Sequence, residues 1–313
     1  MAQEQVQEHV ISLNGIVKRF YIGKPNELEI LHGINLEVER GEFVSIVGES
    51  GCGKSVLCKS IMKLLPKNGW IENGSIAVNG EDIAAYPEKK MQKLRGSMFS
   101  MVFQDPMSSL NPTIPIGKQM VEAIKKHHKI STDEAKKRAK KLMRMVEIDD
   151  VEERFHLQPH FFSGGMRQRC VLAMALASEP KVIFADEPTT ALDVTVQAKI
   201  LKLIRELKEK TGVSFVFISH DLGVVAGVAD RVAIMYAGKI VEQGPVDDIF
   251  YEPAHPYTKG LLRSMPRVDA ESYERLIPIE GTPVDMLNPP EGCPFAPRCE
   301  HCMKICLKKM PPY

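Results

Sequence analysis

Apolar and polar positions alternate in short stretches along the first part of the chain. Residues 10–18 and 30–38 alternate or run apolar over a few positions, a pattern typical of antiparallel strands. Residues 43–47 form a mostly apolar run that predicts a buried strand, and a glycine-rich turn follows directly. Residues 54–65 then have the spacing of a helix, which we expect Pro66 to end.

A lysine-rich helical pattern covers residues 117–147. Within it Ala135, Ala139, Leu142 and Val146 recur every three to four residues, which leaves the lysines on the opposite face. The pattern predicts an amphipathic helix with a solvated basic face. A nucleic-acid or lipid patch is the alternative, but acidic residues interleave with the lysines and no aromatic platform accompanies them.

Helices and strands alternate further along the chain. Helical patterns cover residues 165–177 and 194–210, and short apolar runs at 181–185, 213–218 and 231–236 predict strands. Alternation of this kind is typical of a largely parallel sheet covered by helices.

Proline becomes frequent towards the end of the chain. Twelve of the 21 prolines lie from Pro245 onward. Because proline fixes φ and lacks a backbone donor, we expect this tail to be extended and rich in loops.

Charge and composition exclude several classes of protein. The 41 basic and 40 acidic side chains leave a net charge of +1, so no global field favours nucleic acid or an anionic membrane. The first ten residues lack the apolar stretch of a signal peptide, and no apolar run approaches the about 18 residues of a membrane span. We therefore expect a cytosolic chain, in which clustered cysteines indicate a metal or redox site rather than disulfides.

Residues 48–55, Gly-Glu-Ser-Gly-Cys-Gly-Lys-Ser, match the phosphate-binding loop pattern G-x-x-x-x-G-K-S between a predicted strand and a predicted helix. Glycines let successive amide N–H groups converge on an anion, and the helix adds its positive dipole end. Lys54 is expected to bind the β- and γ-phosphates, and Ser55 to hold Mg²⁺. Cys52 is expected to be a small side chain that fits the loop rather than a redox switch.

Polar side chains follow three other predicted strands. Asp186 and Glu187 end the apolar run 182–185, and we expect Asp186 to complete the Mg²⁺ shell and Glu187 to orient or deprotonate an attacking water. Gln104 follows the apolar run 101–103, and His220 lies two positions after the run 215–218. Each of these signals is weak alone, but the acidic pair becomes specific in company with the phosphate loop.

Residues 162–169, Phe-Ser-Gly-Gly-Met-Arg-Gln-Arg, resemble the signature motif of ABC-type ATPases, which lies shortly before the acidic strand in that family as well. The family also has a Q-loop glutamine at the position of Gln104, a D-loop at 191–193 and a switch histidine at His220. The resemblance covers about residues 10–250, with the motifs in the family's order.

The resemblance implies an α/β fold, the P-loop NTPase (RecA-like) core of an ABC ATPase, with an antiparallel β subdomain and a helical subdomain at about 105–170. It makes residues 1–250 the nucleotide-binding domain and residues 251–313 a Pro/Cys-rich C-terminal extension.

The family also implies that two such domains face each other head to tail, with each ATP between one phosphate loop and the other signature motif. The implied ATP contacts are Gly48, Ser50, Gly51, Cys52, Gly53, Lys54, Ser55, Val56 and Gln104, the signature residues Ser163, Gly164 and Gly165, and Asp186. Mg²⁺ is assigned to Ser55, Gln104 and Asp186, and hydrolysis to Glu187, His220, Gln104 and Lys54. Phe20 is expected to stack on adenine, with Tyr21 as the alternative.

One subgroup of the family matches further. Met166 within the signature motif, the His-Pro-Tyr-Thr segment 255–258, residues 280–283 and residues 293–299 resemble the ATPases of dipeptide and oligopeptide permeases. The resemblance implies an ATP-hydrolysing subunit that powers peptide import from the cytoplasmic face of the membrane. Its implied partners are a second ATPase, identical or related, two permease subunits and, indirectly, a solute-binding protein. The alternatives are import of nickel, glutathione or oligosaccharides, and a soluble nucleic-acid-associated ATPase.

Four cysteines lie within fourteen residues of the tail. Cys293, Cys299, Cys302 and Cys306 have the spacing C-x5-C-x2-C-x3-C. The last three share two gaps with bacterial iron–sulfur runs, although Leu307 replaces the following proline. Structural zinc more often uses two C-x2-C pairs, of which only one is present. The spacing therefore favours a [4Fe–4S] cluster, with Zn²⁺ and unligated thiols as alternatives.

Overall fold

A computed structural model describes residues 9–24, 27–66, 69–190, 192–265, 277–287 and 289–311. The strands are β1 (His9–Phe20), β2 (Leu28–Glu39), β3 (Phe43–Val47), β4 (Gly69–Val78), β5 (Glu81–Asp82), β6 (Phe99–Val102), β7 (Val182–Asp186), β8 (Ser214–Ser219), β9 (Arg231–Tyr236) and β10 (Lys239–Pro245). The helices are α1 (Lys54–Ile61), α2 (Glu88–Ser97), α3 (Pro106–Ser109), α4 (Ile116–His127), α5 (Thr132–Met145), α6 (Val151–Arg154), α7 (Gly164–Leu176), α8 (Val194–Thr211), α9 (Leu222–Ala226), α10 (Val246–Tyr251) and α11 (Pro256–Arg263), with 3₁₀ turns at Pro159–Phe161 and Ala296–Arg298. In the described part of the chain no helix is both long and apolar enough to cross a membrane.

The chain divides into two compact units. As far as these ranges are described, the first takes Met1–Val38, Val44–Ala85 and Ser219–Tyr313, and the second takes Glu39–Phe43 and Tyr86–Ile218.

The first unit contains a sheet of order β2-β1-β4-β5, in which β4 runs antiparallel to both β1 and β5. It also contains β3 parallel to β9, with β10 antiparallel to β9. In the second unit β6, β7 and β8 are parallel neighbours. Their side chains are nearly all buried, as expected for parallel strands that are covered on both faces. The predicted parallel pattern is therefore confirmed within each unit.

The lysine-rich segment is confirmed as helical, but it forms two helices. Ala135, Ala139 and Leu142 lie on the buried side of α5, as the spacing predicted. The break before α5 is caused by Ser131, whose hydroxyl accepts a hydrogen bond from the N–H of Glu134 at 3.2 Å. A serine followed three residues later by glutamate is a helix-start signal, and it separates α4 from α5.

The first helix ends earlier than Pro66. After Ile61 the chain turns at Lys63, which adopts a left-handed backbone with φ of 50°. Leu64 N–H then donates to the Lys59 carbonyl at 2.9 Å and Lys63 N–H to the Ser60 carbonyl at 3.1 Å. This is a Schellman ending, which satisfies the last carbonyls of α1 before the proline is reached.

The expectation of an extended tail is wrong for its first part. Residues 246–263 include the helices α10 and α11, and Pro256 occupies the first turn of α11. Proline fits that position because the first N–H groups of a helix have no partner within the helix. The described residues from 277 onward contain only the 3₁₀ turn at Ala296–Arg298.

Candidate functional site

The phosphate loop joins β3 to α1 in the first unit. Gly51 and Gly53 have left-handed backbones, with φ of 81° and 104°. A Cβ at Gly48 would lie 2.0 Å from the Met235 carbonyl oxygen, which no side chain could tolerate. Conformation at two positions and close backbone approach at the third therefore explain why these three residues are glycines.

Lys54 is almost fully buried at the start of α1, with 5% of the residue exposed. Its Nζ donates to the carbonyl oxygens of Gly48, at 2.7 Å, and Glu49, at 2.9 Å. The loop thus curls around its own ammonium group, which places a fixed positive charge inside the turn. Burial raises the pKa of the neighbouring Cys52 thiol, although the charge of Lys54 opposes the shift. A buried thiol with a raised pKa is a poor nucleophile, which favours the expected packing role.

The C-terminal tail contacts the same loop in the first unit. The N–H of Glu49 donates to the Tyr257 hydroxyl at 2.9 Å. Two guanidinium nitrogens of Arg298 donate to the two carboxylate oxygens of Glu49, at 2.8 and 3.0 Å. Sequence reasoning missed this pair because its members are 249 positions apart and neither belongs to a pattern that would join them.

The acidic strand lies in the second unit. Asp186 ends β7 and is buried, with 6% exposure. Glu187 follows with a left-handed backbone, φ 48°, which is costly for a residue with a side chain and is common at functional sites. Its Oε2 accepts from Gln104 Nε2 at 3.3 Å and from Thr190 Oγ1 at 3.1 Å. Two predicted catalytic residues, Gln104 and Glu187, therefore meet within one unit, and two donors orient the carboxylate.

The signature residues form the start of α7, also in the second unit. Ser163 is the N-cap, and its hydroxyl accepts from Met166 N–H at 3.3 Å. Gly164 and Gly165 occupy the first turn, where N–H groups have no partner within the helix. Ser163 and Gly164 are exposed in this chain. The segment therefore has the donors and the dipole that suit an anion.

Three further predicted site residues, Phe20, Tyr21 and His220, lie in the first unit. Phe20 ends β1 with its ring packed against Gly69, where a Cβ would come within 2.5 Å of the ring. Tyr21 is exposed, with φ of 56°. The choice between these two rings for adenine stays a prediction. His220 directly follows β8 and is exposed. Within the predicted D-loop, Ala191 lies outside the described residues.

A backbone hydrogen bond joins the two ends of the cysteine segment, residues 293–306. Cys293 N–H donates to the Cys306 carbonyl at 2.7 Å, so the two ends of the motif are adjacent. Cys293 is buried, Cys299 and Cys306 are half-buried and Cys302 is exposed. Four thiols are suitable donors for iron or zinc. Among the described residues, however, no group of three or more His, Cys, Asp or Glu side chains is placed to hold a metal ion. The side-chain geometry therefore does not fit the predicted cluster.

Comparison with known proteins places these features in one family. The family model described as ABC transporter matches residues 31–190, and the one described as Oligopeptide/dipeptide transporter, C-terminal region, matches residues 241–306.

Two curated relatives match almost the whole chain. The oligopeptide transport ATP-binding protein OppD of Bacillus subtilis is 54% identical, over 91% of this chain and 80% of the relative. The dipeptide transport ATP-binding protein DppD of Lactococcus lactis is 49% identical, over 98% of this chain and 88% of the relative.

Two solved structures share the fold. The ATP-binding cassette MJ0796, solved as a dimer in a post-hydrolysis state with ADP and Pi, superposes with a TM-score of 0.66 at 28% identity, over 75% of this chain and 98% of that chain. Clostridium perfringens cbiO1, part of the ABC transporter complex cbiONQ, gives a TM-score of 0.69 at 28% identity, over 79% of this chain and 92% of that chain.

Proposed function

The chain belongs to the ABC transporter family, and from that premise we propose that it is the ATP-hydrolysing subunit of an importer of dipeptides or oligopeptides. One observation carries the proposal. An ABC cassette and the C-terminal region typical of oligopeptide and dipeptide transporters follow each other in a single chain. Relatives about half identical to it over most of its length are named for transport of those two substrate classes.

The phosphate loop is proposed to bind the triphosphate of ATP. The support is its backbone, which turns through Gly51 and Gly53, and the buried ammonium of Lys54 inside the turn. Lys54 would exchange its bonds to loop carbonyls for bonds to the β- and γ-phosphates. The proposed ATP contacts in this chain are Phe20, Gly48, Ser50, Gly51, Cys52, Gly53, Lys54, Ser55, Val56, Gln104 and Asp186.

Ser55, Gln104 and Asp186 are proposed to hold Mg²⁺. A hydroxyl, an amide oxygen and a carboxylate are the hard oxygen ligands that this ion prefers, so the donor set fits. When bound, the ion neutralises charge on the β- and γ-phosphate oxygens.

Glu187 is proposed to orient the attacking water and accept its proton. The support is a carboxylate fixed by Gln104 and Thr190 on a strained turn directly after a buried strand. Gln104 would hold the Glu187 carboxylate in the orientation that the attacking water needs, and His220 would contact the γ-phosphate. All three residues would then act on the hydrolysis of the γ-phosphate.

Ser163, Gly164 and Gly165 are proposed to bind the ATP held by a second ATPase subunit. Ser163 and Gly164 are exposed at the start of a 13-residue helix, which suits an anion presented by another molecule. The proposed partners are an identical or related ATPase, two permease subunits and, through them, a solute-binding protein. We place the chain at the cytoplasmic face of the membrane, bound to the permease.

Purification from membranes tests this assignment of partners. We expect an affinity-tagged chain, extracted with mild detergent from cells that carry it, to bring down membrane-spanning subunits and a second ATPase, identified by mass spectrometry. Recovery of the chain only with ribosomes or nucleic acid would contradict the transporter assignment and support the soluble alternative.

We also propose a metal site on the four tail cysteines, with a [4Fe–4S] cluster favoured over zinc. Its support is the donor chemistry and the spacing, and not the arrangement of the described side chains. Protein purified without oxygen is expected to show a broad visible absorption band, with about four irons and four sulfides per chain. Cys302→Ser should lose the iron, whereas the matched control Cys58→Ser, on the buried face of α1, should keep it. A colourless protein with one zinc would show that the site is a structural zinc site and not an iron–sulfur cluster. A protein that contains neither iron nor zinc would contradict the proposal.

A further inference from the structure

Glu49 is an acidic residue inside a loop proposed to bind a triphosphate. Its carboxylate belongs to the turn whose amides and Lys54 are arranged for an anion. Like charges repel, and the repulsion is stronger where the surroundings are partly desolvated. A bare carboxylate at this position would therefore weaken binding of ATP.

Arg298 neutralises that carboxylate with fixed geometry. The guanidinium meets both oxygens of Glu49 in a bidentate pair, and only 5% of the arginine side chain is exposed. The same guanidinium donates to the carbonyl of Glu280 at 3.0 Å and to that of Ile279 at 3.3 Å. A guanidinium stays protonated in proteins, so Arg298 brings a permanent positive charge to the pair.

Tyr257 holds the backbone of the same residue. Its hydroxyl accepts from the N–H of Glu49, and its fully buried ring packs against Tyr236, at 4.6 Å, and Phe295, at 5.4 Å. These distances are typical of packed aromatic pairs. Phe295 lies only three positions before Arg298, so one short stretch of the tail supplies both the packing and the charge.

The start of α11 is itself anchored to β10. One carboxylate oxygen of Glu242 accepts from Ala254 N–H at 2.6 Å, and the other accepts from His255 N–H at 3.1 Å and from the Thr258 hydroxyl. His255 Nδ1 accepts from Tyr257 N–H at 3.1 Å. The His-Pro-Tyr-Thr segment thus fixes Tyr257 in position, which explains what that segment does in this chain.

We propose that the C-terminal tail is a built-in support of the phosphate loop, in which Arg298 cancels the charge of Glu49 and Tyr257 fixes its backbone so that the loop can accept the phosphates of ATP. This inference rests on the proposed role of residues 48–55 in ATP binding and adds two positioning residues to it. Glu49 is held at its N–H, its carbonyl and its carboxylate by Tyr257, Lys54 and Arg298 respectively.

Two roles of the ion pair can be distinguished: Arg298 cancels the charge of Glu49, or the pair only fastens the tail to the loop. If the ion pair only fastens the tail, Arg298→Ala and Glu49→Gln each break it, and the double variant binds ATP no better than Arg298→Ala. If Arg298 acts by cancelling a charge, removing that charge restores binding. Glu49→Gln should then rescue Arg298→Ala, since a neutral side chain at position 49 needs no counter-ion.

The experiment is equilibrium binding of a non-hydrolysable ATP analogue with Mg²⁺ to the full chain. Arg298→Ala is expected to raise Kd about tenfold, and Arg298→Lys less because it keeps the charge but not the bidentate geometry. Glu49→Gln and the double variant should bind within about twofold of each other, and the double variant should bind more tightly than Arg298→Ala. The matched control is Arg263→Ala, which removes another tail arginine whose pair with Glu300 is exposed, and it should change nothing.

Further variants keep the outcomes distinct. Tyr257→Phe removes only the hydroxyl and should weaken binding several-fold, which tests the backbone contact even if Arg298→Ala fails to fold. If the double variant binds the ATP analogue as weakly as Arg298→Ala, Arg298 does not act by cancelling the charge of Glu49. If Arg298→Ala and Tyr257→Phe both bind as the wild type does, the tail does not support the phosphate loop. Lys54→Ala in the same assay reports on the ATP site itself: if the wild type does not bind, or Lys54→Ala binds equally well, the proposed function fails first.

Discussion

Glu187→Gln is expected to keep MgATP bound and to lose about 10²–10⁴-fold in the rate of hydrolysis. Glutamine is nearly the same shape, and its amide oxygen can still accept from Gln104 Nε2 and Thr190 Oγ1. It cannot accept the proton of the attacking water. The variant therefore separates binding from chemistry, and it is measured as phosphate release alongside the amount of nucleotide bound.

Glu179→Gln is the matched control for Glu187→Gln. Glu179 also has a left-handed backbone, with φ of 54°, but it is exposed and pairs with Arg138 at 2.7 Å. The same change there should leave the rate of hydrolysis within about twofold of the wild type, as is usual for surface substitutions. A Glu187→Gln protein that hydrolyses ATP as fast as the control would remove Glu187 from the catalytic role.

Lys54→Ala is expected to raise the Kd for MgATP about a hundredfold or more, which corresponds to about 2.7 kcal/mol. Hydrogen bonds to a charged group contribute about 1.5–3 kcal/mol each, and the buried ammonium can make more than one of them to the phosphates. The loop also loses the two bonds that curl Gly48 and Glu49 around Nζ. Both effects act on the ground state, so binding itself falls along with turnover.

Lys59→Ala controls for loss of a lysine from the same helix. Lys59 lies in the last turn of α1, away from the loop end that Lys54 occupies. Its removal should leave the Kd for MgATP unchanged. Equal affinity of the Lys54→Ala and wild-type proteins, measured by calorimetry, would show that residues 48–55 are not the ATP site.

Local patterns predicted most of the elements around the site. The apolar run 182–185 became β7, and the helical spacing of 194–210 became α8, which Gly212 ends in the left-handed conformation that glycine favours. These elements could be predicted because the spacing of apolar residues and the residues that end a helix can both be recognised within a short stretch of sequence. The Ser131–Glu134 signal that separates α4 from α5 was also present in the sequence and was missed.

Contacts over long sequence separations could not be predicted in this way. No local pattern around Arg298 or Glu49 links the two residues. Their pairing depends on where Tyr257 and Phe295 pack, which is a property of the folded unit. The extended tail was wrongly expected for a related reason, because proline density does not show that Pro256 begins a helix.

The four cysteines show the opposite case, in which spacing predicts more than the geometry supports. Their order along the chain is that of a ligand set, yet among the described residues no three of the side chains are placed to hold a metal ion. Metal binding commonly organises its own ligands, because a site is rarely preformed without the ion. Whether the four cysteines bind a metal is therefore decided by measuring iron and zinc in the protein, and not by how the side chains are arranged without the ion.

Uptake of labelled dipeptides and oligopeptides by cells tests the central claim most directly. The gene for this chain is deleted, and uptake is compared after return of the wild-type, Glu187→Gln or Glu179→Gln copy at matched protein levels. The account predicts that deletion lowers uptake, that the wild-type and Glu179→Gln copies restore it, and that Glu187→Gln does not. Uptake that is unaffected by deletion, or is restored fully by Glu187→Gln, would contradict the conclusion that ATP hydrolysis by this chain powers peptide import.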